Sequence, residues 1–412
     1  MNFLAKLLQK EKKHFDLLHN QTQHLLVSIF LYALISPLFS LFVNAFLWRE
    51  LQNFVTVALY NLAMYAVVPF GFYINGYLLK KYATNKLYLF GLLLEALATA
   101  LLIFLTHITF LTVIIFGILQ GFAISIYWAN RNLLTLQTTK NDNRIYFSGI
   151  EITSSTITGI IIPFLIGNFI IFGTTISLYT PLVAYKILAV IMLVVSIFIG
   201  IHILGMAPTK NSFSSLWIHN ASKRWQRFRW YEVCVGFFSG TTAFIPTIIV
   251  LVFVGNENAL GNIQSISAIT AAIIVYYLAK KLHVQHRLHL VITSVIISIL
   301  GALAFSLLFS PLGVYLFFIS TVVSLPILWI PLSSLNYDLI DEDEQSNLHY
   351  AYVCDQEIYL NLGRVLAIAI FIILIFVFSK TISLRFVPLF YAGIQILFFF
   401  IARSLERTKN KL

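Results

Sequence analysis

The longest polar stretch in the interior of the 412-residue chain is GMAPTKNSFSSLWIHNASKRWQRFR, residues 205–229, which lies close to the midpoint. Its basic side chains are Lys210, Lys223, Arg224, Arg227 and Arg229. On either side of it lie about six long apolar segments, each close to the roughly 20 residues that a helix needs to cross a bilayer. The stretch is therefore interpreted as a basic connector between two hydrophobic halves of equal size.

The composition indicates a protein that sits in lipid. Hydrophobic residues make up 59% of the chain and charged residues only 10%, whereas soluble proteins carry about 25% charged residues. The net charge of +11 would suit nucleic acid, but the basic residues fall almost wholly in loops on one side of the apolar segments. That asymmetry is typical of cytoplasmic loops. We therefore expect contact with anionic membrane lipids and no nucleic-acid binding.

Twelve spans are predicted, which places both termini on the cytoplasmic side of the plasma membrane. The spans are residues 24–48, 52–79, 87–106, 108–133, 146–172, 181–204, 230–254, 259–279, 288–309, 312–335, 349–379 and 385–403. Cytoplasmic loops then carry Lys80, Lys81, Lys86, Lys140, Arg144, Lys280, Lys281 and Arg287, while outer loops carry Arg49, Lys380 and Arg385. Shifting the count by one helix would destroy this asymmetry.

The predicted fold class is an all-α polytopic membrane protein with two six-helix bundles. The bundles comprise residues 23–204 and 230–403, joined by the basic loop 205–229 and followed by a basic tail, 404–412. Residues 1–22 fit either an amphipathic helix on the cytoplasmic leaflet or a frayed basic tail that fixes orientation. The two halves also echo each other at spacings near 200 residues: Tyr77–Lys81 matches Tyr277–Lys281, Trp128 matches Trp329, and Glu151 matches Glu357. This order suggests a duplicated six-helix unit.

The chain resembles the major facilitator superfamily over nearly its whole length. The family signature G-x-L-A-D-R-x-G-R-K after the second span corresponds here to GYLLKKYATNK, residues 76–86. Gly76, Leu78 and Lys81 fit the signature, whereas Lys80 replaces its acidic residue and Ala83 its second glycine. The resemblance implies transport by alternating access, a central cavity lined by spans one, four, seven and ten, and a gating turn. That turn comprises Gly76, Lys80 and Lys81, with Lys280 and Lys281 in the second half.

The fourth span carries the first candidate site. Arg131 follows Tyr127 and Trp128 and, if it faces the cavity, would hold an anionic group between aromatic walls. Alternatively, these residues form an interfacial aromatic belt with an arginine that snorkels to the headgroups. Gln120 in the same span adds a neutral hydrogen-bonding group.

Glu151 in the fifth span is the first candidate for a proton site. It lies on a helix rich in serine and threonine, which suggests a wet face. Because burial disfavours the charged form of a carboxylate, Glu151 would take up and release a proton during transport. The alternative is a structural ion pair with Arg131 or Arg144.

The eleventh span carries the second candidate. Glu357 and Arg364 are seven residues apart and share a helix face, which favours a charge network, a gate or a proton relay. Asp355 nearby is interpreted as a solvated helix end. Glu232 follows Arg229 by three residues, as in a helical ion pair, and Glu95 in the third span is interpreted as a packing contact.

These features predict a secondary transporter of a small amphiphilic or hydrophobic solute, coupled to protons and acting as an exporter. A flippase for a lipid-linked envelope precursor is the alternative, and a membrane-embedded transferase is a further one. The longest loops hold no catalytic motif, and there is no P-loop. We therefore expect no enzymatic activity, no cofactor, no metal and a monomer.

Overall fold

The computed structural model describes residue 15 and residues 18–139, 144–208, 215–279, 287–342 and 348–409. Within these ranges the chain forms helices and no strand, and twelve helical spans are long and apolar enough to cross a membrane. The twelve-span prediction and the all-α fold class are thus confirmed. The spans, numbered α1 to α12, are α1 Asn20–Leu51, α2 Phe54–Leu78, α3 Thr84–Phe104, α4 Phe110–Thr138, α5 Arg144–Thr175, α6 Pro181–Leu204, α7 Lys223–Phe253, α8 Glu257–Ala279, α9 Arg287–Leu308, α10 Pro311–Glu342, α11 His349–Val377 and α12 Lys380–Lys409.

The seventh span begins earlier than the hydropathy suggests. Its first helix starts at Lys223, inside the stretch predicted as connector, and the Ser222 hydroxyl caps it by accepting a hydrogen bond from the Trp225 amide at 3.1 Å. Trp225 and Phe228 are fully buried among basic neighbours. Apolar residues three apart point to one helix face, so the end of the basic stretch forms the start of α7.

Three spans are interrupted: α12 is broken at Gln395, between Lys380–Ile394 and Ile396–Lys409, and α1 and α7 are broken near the middle of the protein. In α1 a π-helical turn, Leu38–Phe42, follows Pro37 and separates Asn20–Pro37 from Val43–Leu51. The α7 span is broken between Lys223–Thr242 and Ile245–Phe253. The two interruptions meet where the Asn44 side chain donates a hydrogen bond to the carbonyl of Ala243 at 3.5 Å. Such π turns occur frequently at functional sites.

The two bundles, α1–α6 and α7–α12, meet firmly on the side of the molecule opposite the termini, here called the far side. Arg49 at the end of α1 forms a two-pronged ion pair with Glu257, which is fully buried at the start of α8. Tyr185 in α6 donates a further hydrogen bond to Glu257 at 3.2 Å. Close by, Gly167 of α5 and Gly261 of α8 face each other so closely that a Cβ on either would overlap the other helix's backbone.

On the side of the termini, the bundles meet through α2 and α11. The Tyr350 hydroxyl donates to the Phe72 carbonyl at 2.8 Å and accepts from the Asn75 side chain at 3.0 Å. Gly76 is buried beside this contact, where a Cβ would lie 2.9 Å from the Tyr350 ring. The adjoining turn presents Lys80 and Lys81 to the exterior, while Lys280 and Lys281 lie outside the described residues.

Candidate functional site: a central cavity between the bundles

A cavity of about 500 Å³ lies between the two bundles. Most of its wall comes from α1–α5, and the second bundle contributes Ala243 and Arg364. The charged residues among those that line it are Glu95, Arg131, Glu151 and Arg364. Spans one, four and seven line the cavity, as the resemblance implied, but none of the α10 side chains that the structure describes lies on this wall.

Arg131 and Glu151 form an ion pair on this wall and join α4 to α5. Their side chains are 15% and 20% exposed, respectively, and both border the cavity. The Arg131 guanidinium also lies 5.2 Å from the centre of the Trp128 ring and donates to the Asn132 side chain at 2.9 Å. The structure thus brings together the anion-binding candidate and the proton-site candidate of the sequence.

Aromatic rings form the wall beside this ion pair. The Tyr32 and Tyr127 rings stack at 4.1 Å, and the edge of Trp128 packs against both. Tyr127 is buried, while Trp128 is 39% exposed. The predicted aromatic residues therefore lie together on this wall, with the Trp128 ring against the guanidinium of Arg131 and partly exposed.

Glu95 forms contacts with neighbouring helices, as its sequence context had suggested, and it also borders the cavity. It is 1% exposed, and both of its carboxylate oxygens accept from the Tyr32 hydroxyl at 3.3 Å. Gln120 lies behind the wall and donates to Glu95 at 3.3 Å, while its own oxygen accepts from Thr99 at 3.3 Å. The sequence signal is the four-residue spacing of Glu95 and Thr99, which puts two polar groups on one face of an apolar helix.

Arg364 reaches the cavity from α11. Its Nε donates to the Ser239 hydroxyl at 3.2 Å, and its Nη1 donates to the Asn361 side-chain oxygen at 3.1 Å. The guanidinium lies 4.7 Å from the centre of the Tyr65 ring, which belongs to α2 of the other bundle. Asn361 also donates to the Glu357 carboxylate at 2.8 Å. Glu357 and Arg364 are therefore connected through Asn361, and Glu357 does not line the cavity.

The acidic residues at the start of α11 and α7 differ from their sequence interpretation. Asp355 is not a solvated helix end: it is 9% exposed, forms an ion pair with Arg229 at 2.8 Å, and accepts from the Trp225 indole at 2.6 Å. Glu232, which the spacing had assigned to Arg229, accepts instead from Gln356 at 2.8 Å. Arg229 pairs with the neighbouring helix because helix packing brings Asp355 within reach of its planar fork.

Around Glu151, α5 has open space beside it. A Cβ added to Gly149 or Gly159 would meet no described atom within 4 Å, and Ile152 is 66% exposed. Further along the same helix, Gly167 is pressed against α8. The close backbone contact between α5 and α8 therefore lies toward the far side. Within the described ranges, no group of three His, Cys, Asp or Glu side chains is arranged as metal ligands would be.

Comparisons with known proteins agree with this architecture. The profile of the Major Facilitator Superfamily matches residues 25–354. Over 361 residues the chain is 25% identical to the uncharacterized protein YqgE of Bacillus subtilis (strain 168), covering 86% of this chain and 82% of that protein.

Two solved transporter structures share the fold. The crystal structure of the nucleoside transporter NupG superposes with a TM-score of 0.69 at 16% identity and covers 94% of this chain and 99% of its own. The crystal structure of a bacterial homologue of the iron transporter ferroportin in an inward-facing state superposes with a TM-score of 0.67 at 14% identity, covering 93% and 98%. At these identities the likeness concerns the fold alone. With its profile match, its twelve membrane-crossing helices and its central cavity, the chain belongs to the major facilitator superfamily and is a multi-pass membrane transporter.

Proposed function

We propose that the protein is a proton-coupled secondary transporter that exports a small amphiphilic solute across the plasma membrane, with both termini in the cytoplasm. The observation that carries the proposal is the Arg131–Glu151 ion pair on the wall of a cavity between two bundles. Ionisable side chains inside a membrane are costly unless they are paired, and they often mark substrate and ion pathways. A transporter of this family needs no catalytic residues, so we propose no enzymatic activity.

Alternating access is supported by the uneven contact between the bundles. The far side is closed by the Arg49–Glu257 pair and by the contact of Gly167 with Gly261. Toward the termini, Gly149 and Gly159 of α5 have open space beside them, while α2 and α11 remain in contact through Tyr350. The basic loops are on the side of the termini, which the positive-inside rule assigns to the cytoplasm. Because the far side is closed in this arrangement, we propose that the solute enters the cavity from the cytoplasm and leaves on the far side.

Proton coupling is assigned to Glu151. In the ionised form its carboxylate compensates the charge of Arg131, and a proton on Glu151 would remove that compensation. The guanidinium, always charged, would then retain its contact with Trp128 but lose its anionic partner. A single proton therefore changes the electrostatics of the cavity wall at a position that borders the solute. The Tyr32, Tyr127 and Trp128 rings provide an apolar surface for the solute.

The test reconstitutes the purified protein into liposomes that contain a pH-sensitive dye and offers a panel of amphiphilic solutes. The wild type is expected to move protons only when a solute is present. Glu151→Gln is expected to abolish that movement, whereas Glu50→Gln, a matched change of an exposed glutamate, keeps it. Proton movement in Glu151→Gln equal to the wild type would refute the assignment of the proton site.

Flipping of a lipid-linked precursor is a second candidate, favoured by the open space beside Gly149 and Gly159 on α5. A lipid headgroup entering between α5 and α8 would reach Glu151 without crossing the bundle. The same liposomes with a fluorescent lipid in the inner leaflet test this function. Protein-dependent exposure of the dye to an external quencher, without solute-dependent proton movement, would favour flipping over solute transport.

A further inference from the structure

Arg364 differs from Arg131, the other cavity arginine, because none of the described carboxylates forms a direct ion pair with it. Among the cavity-lining residues that the structure describes, it is the only charged residue from the second bundle. It lies near the middle of the apolar span Tyr350–Val377, so its side chain is far from either headgroup layer. A cation at such a depth normally pairs with an anion or a water-filled site.

The hydrogen bonds of Arg364 orient the guanidinium but leave its charge in place. Ser239 and Asn361 are neutral acceptors for Nε and Nη1, and the Tyr65 ring supports the charged plane. In the described part of the chain, no carboxylate lies within ion-pair distance of Arg364. The second terminal nitrogen, Nη2, makes no hydrogen bond with a described residue.

Each nearby acid has other partners. Glu151 is paired with Arg131, and Glu95 accepts from Tyr32 and Gln120. Glu357 reaches Arg364 only through the amide of Asn361. The protein therefore pairs one cavity arginine directly with a carboxylate, whereas the acids near the other, Glu357 and Glu232, do not contact its guanidinium.

Arg364 is also held at a fixed position by close helix packing. A Cβ on Gly240 of α7 would lie 2.7 Å from the Arg364 Cα, and one on Gly236 would overlap the Leu360 carbonyl. Backbone contact at this distance leaves α11 little room to shift. A preorganised guanidinium binds carboxylates, sulfonates and phosphates with two parallel hydrogen bonds.

We propose that Arg364 binds the anionic group of the transported amphiphile, with the apolar part of that solute against the aromatic wall of the first bundle. This inference rests on the proposed transport function and narrows its substrate class to anionic amphiphiles. The free Nη2 and the cavity-facing edge of the guanidinium supply the donors. The solute supplies the missing negative charge.

The test measures equilibrium binding to the purified full-length protein in a neutral detergent. The probes are 2-naphthoate, decanoate and 1-naphthyl phosphate, each compared with a neutral counterpart: 2-naphthamide, decanamide and 1-naphthol. At least one anion is expected to bind the wild type about ten times or more tightly than its counterpart, as charge-assisted hydrogen bonds allow. Equal affinity within every pair, or no binding of any anion, overturns the inference.

Substitutions then assign the preference to this residue. Arg364→Gln is expected to abolish the preference for the anion, Arg364→Lys to keep part of it, and Arg403→Gln, at an exposed arginine, to leave it unchanged. A preference that survives Arg364→Gln overturns the inference. Retained binding of the neutral counterpart shows that the variant is folded, and the Lys variant provides a second measurement if the Gln variant is unstable.

Two further experiments complete the test. One identifies the source of the anion, and the other tests the anion site independently of the transport function. Displacement of the bound probe by phosphatidylglycerol, and not by phosphatidylcholine, would assign the site to a lipid headgroup, whereas no displacement would assign it to a soluble acid. If anionic solutes drive Glu151-dependent proton movement equally well in the wild type and in Arg364→Gln, transport stands and the anion site is refuted. If the anion preference depends on Arg364 but no solute moves protons, the anion site stands and the coupling is refuted.

Discussion

The two bundles contribute opposite surfaces to the same cavity. The first supplies an ion pair, a hydrogen-bonded carboxylate and stacked aromatic rings. The second supplies Ala243 and a single arginine, Arg364, held by neutral groups. A cation balanced within its own bundle stabilises that bundle, whereas an unbalanced cation is available to a ligand. Arg131 is thus compensated within the first bundle, whereas Arg364 is the cavity cation that we propose for ligand binding.

The predicted duplication allows matched residues of the two bundles to be compared directly. The predicted duplication matches Glu151 with Glu357, yet Glu151 contacts its arginine directly and Glu357 contacts Arg364 only through Asn361. Trp128 lines the cavity, whereas its counterpart Trp329 packs against the core of the second bundle. The matched residues of the two halves therefore make different contacts in the two bundles.

The largest effect is expected from breaking the packing that positions Arg364. Gly236→Val would force the side chain into the Leu360 carbonyl, and overpacking of this kind costs about 3 kcal/mol or more. We expect aggregation or a large fall in melting temperature. Light scattering of the protein in detergent during heating measures both. Gly149→Ala, where a Cβ meets open space, is the control and should melt like the wild type. A normal melting temperature for Gly236→Val would contradict the close contact of α7 and α11.

The next effect distinguishes the two cavity arginines by stability. Arg131→Gln leaves Glu151 without its partner and should destabilise the protein by about 2 kcal/mol, below the value for a fully buried pair because both side chains are partly exposed. Adding Glu151→Gln to that variant should restore stability, whereas Arg364→Gln should cost less than Arg131→Gln. Thermal unfolding of the four proteins measures this. An Arg364→Gln variant less stable than Arg131→Gln would reverse the comparison.

A smaller effect is expected from giving Arg364 a counter-ion within the protein. Asn361→Asp replaces the neutral acceptor of Nη1 with a carboxylate, which would compete with a bound anion. Binding of the anionic probes should weaken about tenfold, in line with the strength of a charge-assisted hydrogen bond. Titration of the variant with the probe preferred by the wild type checks this. Unchanged affinity would mean that the anion binds elsewhere in the cavity.

The smallest effect is expected at Glu95. Glu95→Gln keeps an oxygen to accept from Tyr32 and removes the charge. The free energy of unfolding should therefore fall by about 1 kcal/mol or less, and the melting temperature should change little. Transport should continue, in contrast to Glu151→Gln. Loss of solute-dependent proton movement in Glu95→Gln would move the proton site to Glu95.

Hydropathy predicted the number of spans because each must satisfy its backbone hydrogen bonds within lipid. The start of α7 at Lys223 was missed because basic residues mask the apolar face formed by Trp225 and Phe228. Hydropathy averaged along the sequence does not reveal the interruption of α1 after Pro37, although the proline itself can be read from the sequence.

The candidate site was only partly predictable. The sequence identified Arg131, Glu151 and Arg364 because ionisable groups are rare within spans. It left open whether Glu151 pairs with Arg131, and its assignments of Asp355 and Glu232 were wrong, because helix rotation and tilt depend on packing and not on hydropathy. The separation of Glu357 from Arg364 depends on Asn361, which lies between them on the same face.

The contact between Arg364 and Tyr65 has a consequence for the direction of the transport cycle. It joins α11 to α2, so it contributes only while the bundles hold these two residues together. A cation over an aromatic ring is worth about 0.5–2 kcal/mol. If the solute takes the place of the ring, thermodynamic linkage requires it to bind about 2- to 30-fold more tightly to the arrangement in which Tyr65 has withdrawn. By reciprocity, the bound solute shifts the equilibrium between the two arrangements by the same factor. Solute binding therefore favours the conformational change in which Tyr65 moves away from Arg364.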